Sequence, residues 1–162
     1  MAIATSGSST RIAAPKKNDI MLLIGRIMLG TLFIVPGFGK VTNYAAFGSY
    51  MTSYGVPPLL LPPAIILELC GGALLAFGIG TRAIAISFIA YLLVLAFIFH
   101  AFWAVDPKQF QAQLNLFLLH FGVIGGLLYM AAFGAGSLAL DQLYGNRDPT
   151  PESNERPVLP PP

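Results

Sequence analysis

The stretch from Leu61 to Thr81 constrains this chain most, because it is apolar enough to cross a bilayer and yet carries a carboxylate, Glu68. A membrane-spanning helix needs about 20 mostly apolar residues. A charged side chain within hydrocarbon costs roughly 2.5–3.5 kcal/mol on insertion scales. We therefore expect Glu68 to face the interior of a helical bundle and to find a partner there. Gly71 and Gly72 follow it, and such small residues let neighbouring helices pack closely.

Three further apolar runs have the length of a membrane span, and 56% of the 162 residues are hydrophobic while 10% are charged. These proportions lie outside the range of ordinary soluble domains. The chain is therefore predicted to be an all-α integral membrane protein, a four-helix bundle. The predicted spans are residues 20–39, 62–79, 83–104 and 114–134.

The remaining composition excludes several classes of partner and site. A net charge of +2, without a basic patch interleaved with aromatic residues, argues against nucleic acid. The single cysteine, Cys70, allows neither an internal disulfide nor a cysteine metal cluster, and no metal site is expected. The lipid bilayer is the expected surrounding.

Between the first two spans, aromatic and methionine side chains recur every three or four residues. They are Tyr44, Phe47, Tyr50, Met51 and Tyr54. This spacing puts them on one face of a short amphipathic helix at the membrane interface, with an ordinary loop as the alternative. The terminal segments 1–18 and 141–162 are polar or proline-rich and are predicted to be disordered, which leaves 19–140 as the membrane domain.

Lys and Arg are distributed unequally over the predicted connections. One side of the membrane receives Arg11, Lys16, Lys17, Arg82, Arg147 and Arg156, and the other receives only Lys40 and Lys108. Cytoplasmic connections carry the excess of positive charge. Both termini are therefore predicted to be cytoplasmic.

With this orientation, ionisable side chains from all four spans fall in the outer third of the bundle. At 1.5 Å per residue, Glu68 and His120 both lie on the order of 9 Å below the outer end of their spans, His100 is shallower and Lys40 lies at the end. Two residues, Asn115 and Tyr44, are expected to join from the rim. The candidate ligand-binding residues are thus Glu68, Lys40, His100, His120, Asn115 and Tyr44.

Two cations compete as the partner of Glu68. Arg26 lies near the inner end of the first span, roughly 10 Å or more from Glu68 along the membrane normal. We therefore expect Lys40 to pair with Glu68, and Arg26 to snorkel towards the inner surface.

Several uses of this cluster are chemically reasonable. The polar groups can simply pair helices, at about 0.6 kcal/mol for each hydrogen bond. Alternatively, a donor and an acceptor can hold the two oxygens of a quinone, with the imidazoles relaying protons. Haem ligation by His100 and His120 is disfavoured, and transport is weaker still because no inverted repeat is evident. No Walker loop or Ser-His-Asp arrangement is present.

Three segments carry a resemblance to a known family. They are R-I-M-L-G-T-L-F-I-V-P-G-F-G-K (Arg26 to Lys40), E-L-C-G-G (Glu68 to Gly72) and G-T-R (Gly80 to Arg82). Over about Asp19 to Phe133 the chain resembles the DoxX family of small bacterial membrane proteins. The resemblance implies a four-helix protein of the bacterial inner membrane, in which Arg26, Lys40, Glu68 and Arg82 are the marked positions. It also implies an association with a thiosulfate–quinone oxidoreductase or with oxidative-stress complexes.

The sequence therefore predicts a membrane component of a quinone-linked oxidoreductase or oxidative-stress system. Its partners would be other membrane or peripheral redox subunits, or a second copy of the chain. The alternative is a non-catalytic anchor or assembly subunit whose buried polar residues only pair helices. No self-contained catalytic motif decides whether the chain is an enzyme.

Overall fold

A computed structural model of the protein describes residues 17–143, and this part of the chain contains helices and no strand. Four helical segments within these described residues are long and apolar enough to cross a membrane, and we call them spans one to four in chain order. They are Asn18–Thr42, Pro58–Phe77, Thr81–Ala104 and Pro107–Phe133. The predicted all-α membrane bundle is confirmed.

Span one is the long helix α1 (Lys17–Thr42), which extends beyond both predicted ends and includes Pro36. It crosses span two with the backbones in direct contact. A Cβ atom on Gly30 would lie 2.6 Å from the carbonyl oxygen of Gly72, and one on Gly37 would lie 3.0 Å from the Cβ of Glu68. Spans one and two therefore pack through small residues, as Gly72 led us to expect.

Span two is not one regular helix. A 3₁₀ turn (Pro58–Leu60) leads into α3 (Leu61–Ile66), and a π-helical turn (Leu67–Gly71) separates α3 from α4 (Gly72–Phe77). A π turn contains one residue more than an α turn and often marks a functional position. Here it holds Glu68, which is buried. The sequence predicted an uninterrupted helix at this place.

Spans three and four contain α5 (Thr81–Phe99), a 3₁₀ turn (Phe102–Ala104) and α6 (Pro107–Phe133). The polar residues after Asp106, which we expected to form a loop, instead form the first turns of α6. Pro107 is the reason, because its fixed φ suits the first position of a helix. The core lies where all four spans meet, and its buried residues include Phe33, Leu75, Phe88 and Leu127. The rings of Phe33 and Phe88 are stacked at 3.6 Å between centroids.

The predicted interfacial helix is present as α2 (Tyr44–Ser53). It packs against the end of span three, since the rings of Tyr50 and Tyr54 lie 5.5 and 5.1 Å from the ring of Phe99. The helix therefore covers the same end of the bundle as Lys40, the last basic residue of α1.

At the opposite end, the chain folds back beneath the bundle after span four. The guanidinium of Arg26 donates from Nη2 to the carbonyl of Leu138 at 2.8 Å, and only 1% of this residue is exposed. The prediction that Arg26 snorkels to the surface is wrong, because the returning segment covers it. Arg82 is exposed beside Gly134 in the same region.

The returning segment is fastened by Asp141, which accepts hydrogen bonds from the backbone N–H of Gly80 at 3.1 and 2.8 Å. It lies in the single helical turn α7 (Leu140–Leu143). The predicted disordered tail therefore begins with ordered residues. The rest of that tail, and the first 16 residues, lie outside the described part of the chain.

Candidate functional site

The end of span one and the π turn of span two form a buried ion pair. The Nζ atom of Lys40 donates to both carboxylate oxygens of Glu68, at 2.8 Å to Oε1 and 2.7 Å to Oε2. The side chain of Glu68 is 4% exposed and that of Lys40 is 16% exposed. The structure thus pairs Glu68 with Lys40, as their depths suggested, while Arg26 is held at the other end of span one.

A third member of this site was missed by the sequence analysis. The hydroxyl of Tyr91, on span three, donates to Oε1 of Glu68 at 2.6 Å. The sequence does contain a feature that indicates Tyr91, because a phenol in the middle of an apolar span needs a hydrogen-bond partner there. We call Lys40, Glu68 and Tyr91 the carboxylate cluster. It joins three spans through one acceptor group.

Two cavities formed by the described residues adjoin the carboxylate cluster. The first, which we call the α2 cavity, has a volume of about 480 Å³ and lies between α2 and spans two and three. Its wall is mostly apolar and includes Phe47, Leu67, Val94, Ile98 and Phe99, with Lys40, Tyr50, Tyr91 and His100 as its polar members. The second, which we call the span-four cleft, has a volume of about 310 Å³ and lies between spans one, three and four. Glu68 and His120 line the span-four cleft together with Lys40 and Tyr91.

The helix α2 forms one wall of the α2 cavity. The ring of Phe47 lies 5.5 Å from Nζ of Lys40, a cation–π distance. Tyr50 stacks on Phe99 beside it. Desolvation, with a smaller contribution from the hydroxyl of Tyr54, raises the pKa of Tyr50 to about 12, so this phenol stays protonated at neutral pH.

The two histidines lie together, with 4.8 Å between ring centroids. Nδ1 of His100 is 2.9 Å from Oε1 of Gln113, and Nδ1 of His120 is 2.8 Å from the carbonyl oxygen of Leu116. Because a carbonyl only accepts, Nδ1 of His120 carries a proton, and in the neutral ring Nε2 is then an acceptor. Rings in direct contact leave no space between them for a porphyrin, so this arrangement does not fit haem ligated by both residues.

Two of the predicted site residues, Asn115 and Tyr44, line neither cavity. Asn115 is exposed and accepts a hydrogen bond from Gln111 of the same helix at 2.9 Å. It precedes His120 by five residues, which turns it about 140° around the helix. Tyr44 is 47% exposed and lines neither cavity.

No group of three or more His, Cys, Asp or Glu side chains among residues 17–143 is arranged to hold a metal ion. The side chains of the site offer hydrogen bonds and charge: Lys40 pairs with Glu68, and Tyr91 donates to the same carboxylate. The two histidines lie beside them as further hydrogen-bonding groups.

Replacing Tyr91 by phenylalanine is expected to lower the free energy of unfolding by about 1.5–3 kcal/mol, because a hydrogen bond to a charged group is lost in a buried site. Thermal unfolding of the purified protein in detergent measures this change. The matched control is Tyr129→Phe, since Tyr129 is 72% exposed. Equal stabilities of the two variants would contradict a structural role for the Tyr91 hydroxyl.

Comparison with known proteins places these residues in a family context. The DoxX family model matches residues 21–101. The inner membrane protein YqjF of Escherichia coli (strain K12) is 36% identical over 132 residues, which cover 82% of this chain and 98% of YqjF. The inner membrane protein YphA of the same organism is 31% identical over 127 residues, covering 77% of this chain and 91% of YphA.

A third relative comes from Bacillus subtilis (strain 168) and is named "Putative oxidoreductase CatD". It is 29% identical over 126 residues, which cover 78% of this chain and 88% of CatD. No solved structure matches the chain.

Proposed function

This chain belongs to the DoxX family of membrane proteins, and from that premise we propose that it is a membrane component of a quinone-linked oxidoreductase system. The α2 cavity is the proposed site for the quinone head group. The observation that carries this proposal is the position of the carboxylate cluster, whose Lys40 and Tyr91 form part of the wall of a large apolar cavity.

The α2 cavity suits an aromatic ring with carbonyl oxygens. Its volume of about 480 Å³ falls within the range of small-molecule sites, which are mostly apolar with a few fixed polar groups. Lys40 has three N–H donors and uses two on Glu68, so one remains for a carbonyl oxygen. His100 supplies a second polar group on the same wall.

The cavity is accessible from the region that lipid would occupy. Its wall includes Leu60 and Val94, which are 52% and 55% exposed on the apolar surface of spans two and three. A lipid-soluble quinone would therefore reach the cavity without leaving the membrane.

The redox part of the proposal is supported by the name of the Bacillus subtilis relative, which describes an oxidoreductase. Electrons would be exchanged with a partner redox subunit of the membrane or its surface. The distribution of Lys and Arg further supports cytoplasmic termini in a bacterial inner membrane, with the carboxylate cluster near the periplasmic face.

Filling the α2 cavity is the direct test. Ala64→Phe introduces a ring into the cavity wall from span two, without changing any member of the carboxylate cluster. We expect it to weaken the binding of decylubiquinone, a short-chain quinone, by at least tenfold in titrations of the protein in lipid nanodiscs. The matched control is Ile66→Phe on the same helix, because Ile66 is 62% exposed and lines neither cavity.

The outcome separates the quinone site from the rival anchor role. A wild-type protein that binds no quinone, or an Ala64→Phe variant that binds it as well as Ile66→Phe does, would overturn the proposal. An anchor or assembly subunit would then be favoured, with the polar groups serving only to pair helices.

A further inference from the structure

The carboxylate cluster presents different chemistry to its two cavities. Lys40 and Tyr91 line both of them, whereas Glu68 lines the span-four cleft and not the α2 cavity. The carboxylate, which only accepts hydrogen bonds, is therefore accessible from one side. The two cavities should consequently prefer different ligands.

The donors that surround Glu68 do not use all of its hydrogen-bond acceptor positions. An ionised carboxylate offers about four lone-pair positions, two on each oxygen. Oε1 of Glu68 accepts from Lys40 and from Tyr91, and Oε2 accepts from Lys40 alone. One acceptor position therefore remains on Oε2.

A second acceptor in the span-four cleft comes from His120. Its Nδ1 proton is committed to the carbonyl oxygen of Leu116, so in the neutral imidazole Nε2 keeps its lone pair. His100, which lines the α2 cavity, is different because its partner is the side-chain amide of Gln113. An amide offers a donor or an acceptor according to its orientation, so either tautomer of His100 can be accommodated.

The size of the span-four cleft limits what it can hold. About 310 Å³ is at the lower end of the range for small-molecule sites, enough for one substituted ring and too small for a long isoprenoid chain. Apolar side chains of Phe33, Leu95 and Val123 form walls for such a ring. Leu32 and Leu119, which are 53% and 60% exposed, place the cleft at the surface that lipid would cover.

We propose that the span-four cleft is a second binding site, selective for a single aromatic ring that carries hydroxyl groups, such as a hydroquinone. The hydroxyls donate to Oε2 of Glu68 and to Nε2 of His120. The oxidised ring lacks these donors and binds instead in the α2 cavity, where Lys40 donates. The choice of a hydroquinone rests on the proposed quinone function, whereas the preference for a hydroxyl donor follows from the acceptors alone.

The test compares a ligand that has two hydroxyl donors with a ligand in which both hydroxyls are methylated. The probe is 2,3-dimethylhydroquinone, kept reduced under anaerobic conditions, and the control ligand is its dimethyl ether, which has no hydroxyl donor. Binding to the full-length protein in nanodiscs is measured by calorimetry. We expect the dimethyl ether to bind at least tenfold more weakly than the hydroquinone.

Three variants locate the site. Val123→Phe fills the span-four cleft, and His120→Phe removes the second acceptor while keeping an aromatic ring. We expect each variant to weaken hydroquinone binding by at least tenfold. Leu118→Phe is the control on the same helix, since Leu118 is 56% exposed and lines neither cavity. Retained binding of decylubiquinone shows that each variant is folded. If the wild-type protein binds no quinone, an unchanged thermal unfolding curve serves as the control for folding instead.

The result also distinguishes this inference from the proposed function. If Ala64→Phe abolishes hydroquinone binding and Val123→Phe does not, both ring forms share the α2 cavity and the second site is refuted. Equal binding of the dimethyl ether would refute the hydroxyl preference. A third outcome is that decylubiquinone does not bind, while the hydroquinone binds and its affinity depends on Val123 and His120. The proposed quinone function would then be refuted, and the span-four cleft would be supported as a binding site for hydroxyl-bearing rings.

Discussion

Replacing Lys40 by methionine is expected to lower the free energy of unfolding by about 3–5 kcal/mol, the cost of removing one partner from a buried ion pair. The reason is the position of Glu68, whose side chain is 4% exposed and has Lys40 as its cationic partner. Without that partner, the carboxylate must remain in hydrocarbon either as an isolated charge or as a neutral acid. Reversible unfolding of the protein in mixed micelles of detergent and SDS measures the loss.

A double variant separates the charge effect from simple loss of packing. Lys40→Met combined with Glu68→Gln removes both charges and keeps an acceptor for the Tyr91 hydroxyl. We expect it to recover most of the lost stability, since replacing both members of a buried pair is often nearly neutral. Lys108→Met, at an exposed position, should change stability by less than about 0.5 kcal/mol. A double variant as unstable as the single variant would contradict this account.

Glu68 connects three spans, so a substitution of this residue is a poor test of function alone. The residue is held by donors from spans one and three and itself belongs to span two. Any change of Glu68 therefore alters helix pairing together with the proposed ligand binding. Substitutions in the cavity walls, such as Ala64→Phe and Val123→Phe, leave the cluster in place and are the cleaner probes of function.

Gly30→Ala is expected to destabilise the bundle by about 1–3 kcal/mol, the usual cost of inserting a methyl group into a packed interior. The new Cβ atom would lie 2.6 Å from the carbonyl oxygen of Gly72 and 2.9 Å from the Cβ of Ala76. A backbone oxygen cannot move aside as the end of a flexible side chain can, so spans one and two must separate. Unfolding in mixed micelles measures the loss here as well.

Gly25→Ala provides the matched control on the same helix. A Cβ atom at Gly25 would meet no heavy atom within 4 Å. Because alanine favours the helix by about 1 kcal/mol over glycine, this variant should be as stable as the wild type or more so. If Gly30→Ala is equally harmless, the close contact between spans one and two does not contribute to stability.

The helix crossing at Gly30 also affects the distance between Lys40 and Glu68. Lys40 lies on span one beyond Gly30, and Glu68 lies one turn before Gly72 on span two. Pushing the two backbones apart at the crossing should therefore lengthen the separation of Lys40 and Glu68. We expect Gly30→Ala to weaken quinone binding for this reason, although it lies in neither cavity wall.

Much of the architecture was predictable from local properties of the chain. Runs of about 20 apolar residues fix the number of spans, because backbone hydrogen bonds in hydrocarbon are best satisfied within a helix. The aromatic spacing from Tyr44 to Tyr54 correctly predicted α2. The depths of Lys40 and Glu68 correctly favoured their pairing, because rise along a helix depends only on residue number.

Rotation about the helix axes was not predictable in the same way. Asn115 and His120 belong to the same end of span four but lie on different sides of it, about 140° apart around the helix. The π turn at Leu67–Gly71 adds one residue to a turn of span two, which shifts the facing of every later residue relative to a regular helix. Tyr91 and the buried environment of Arg26 were missed for a related reason, since each depends on a segment distant in sequence.

The sequence by itself determined that four apolar segments cross the membrane and that Glu68 must meet a donor, because the cost of a charge in hydrocarbon is set by its immediate surroundings. Only the tertiary structure decided which donors meet it and which cavity it lines. These contacts of Glu68 depend on how closely the glycine-bearing helices approach each other and on how far each helix is rotated about its axis. Both quantities are set by contacts between residues that are distant in sequence.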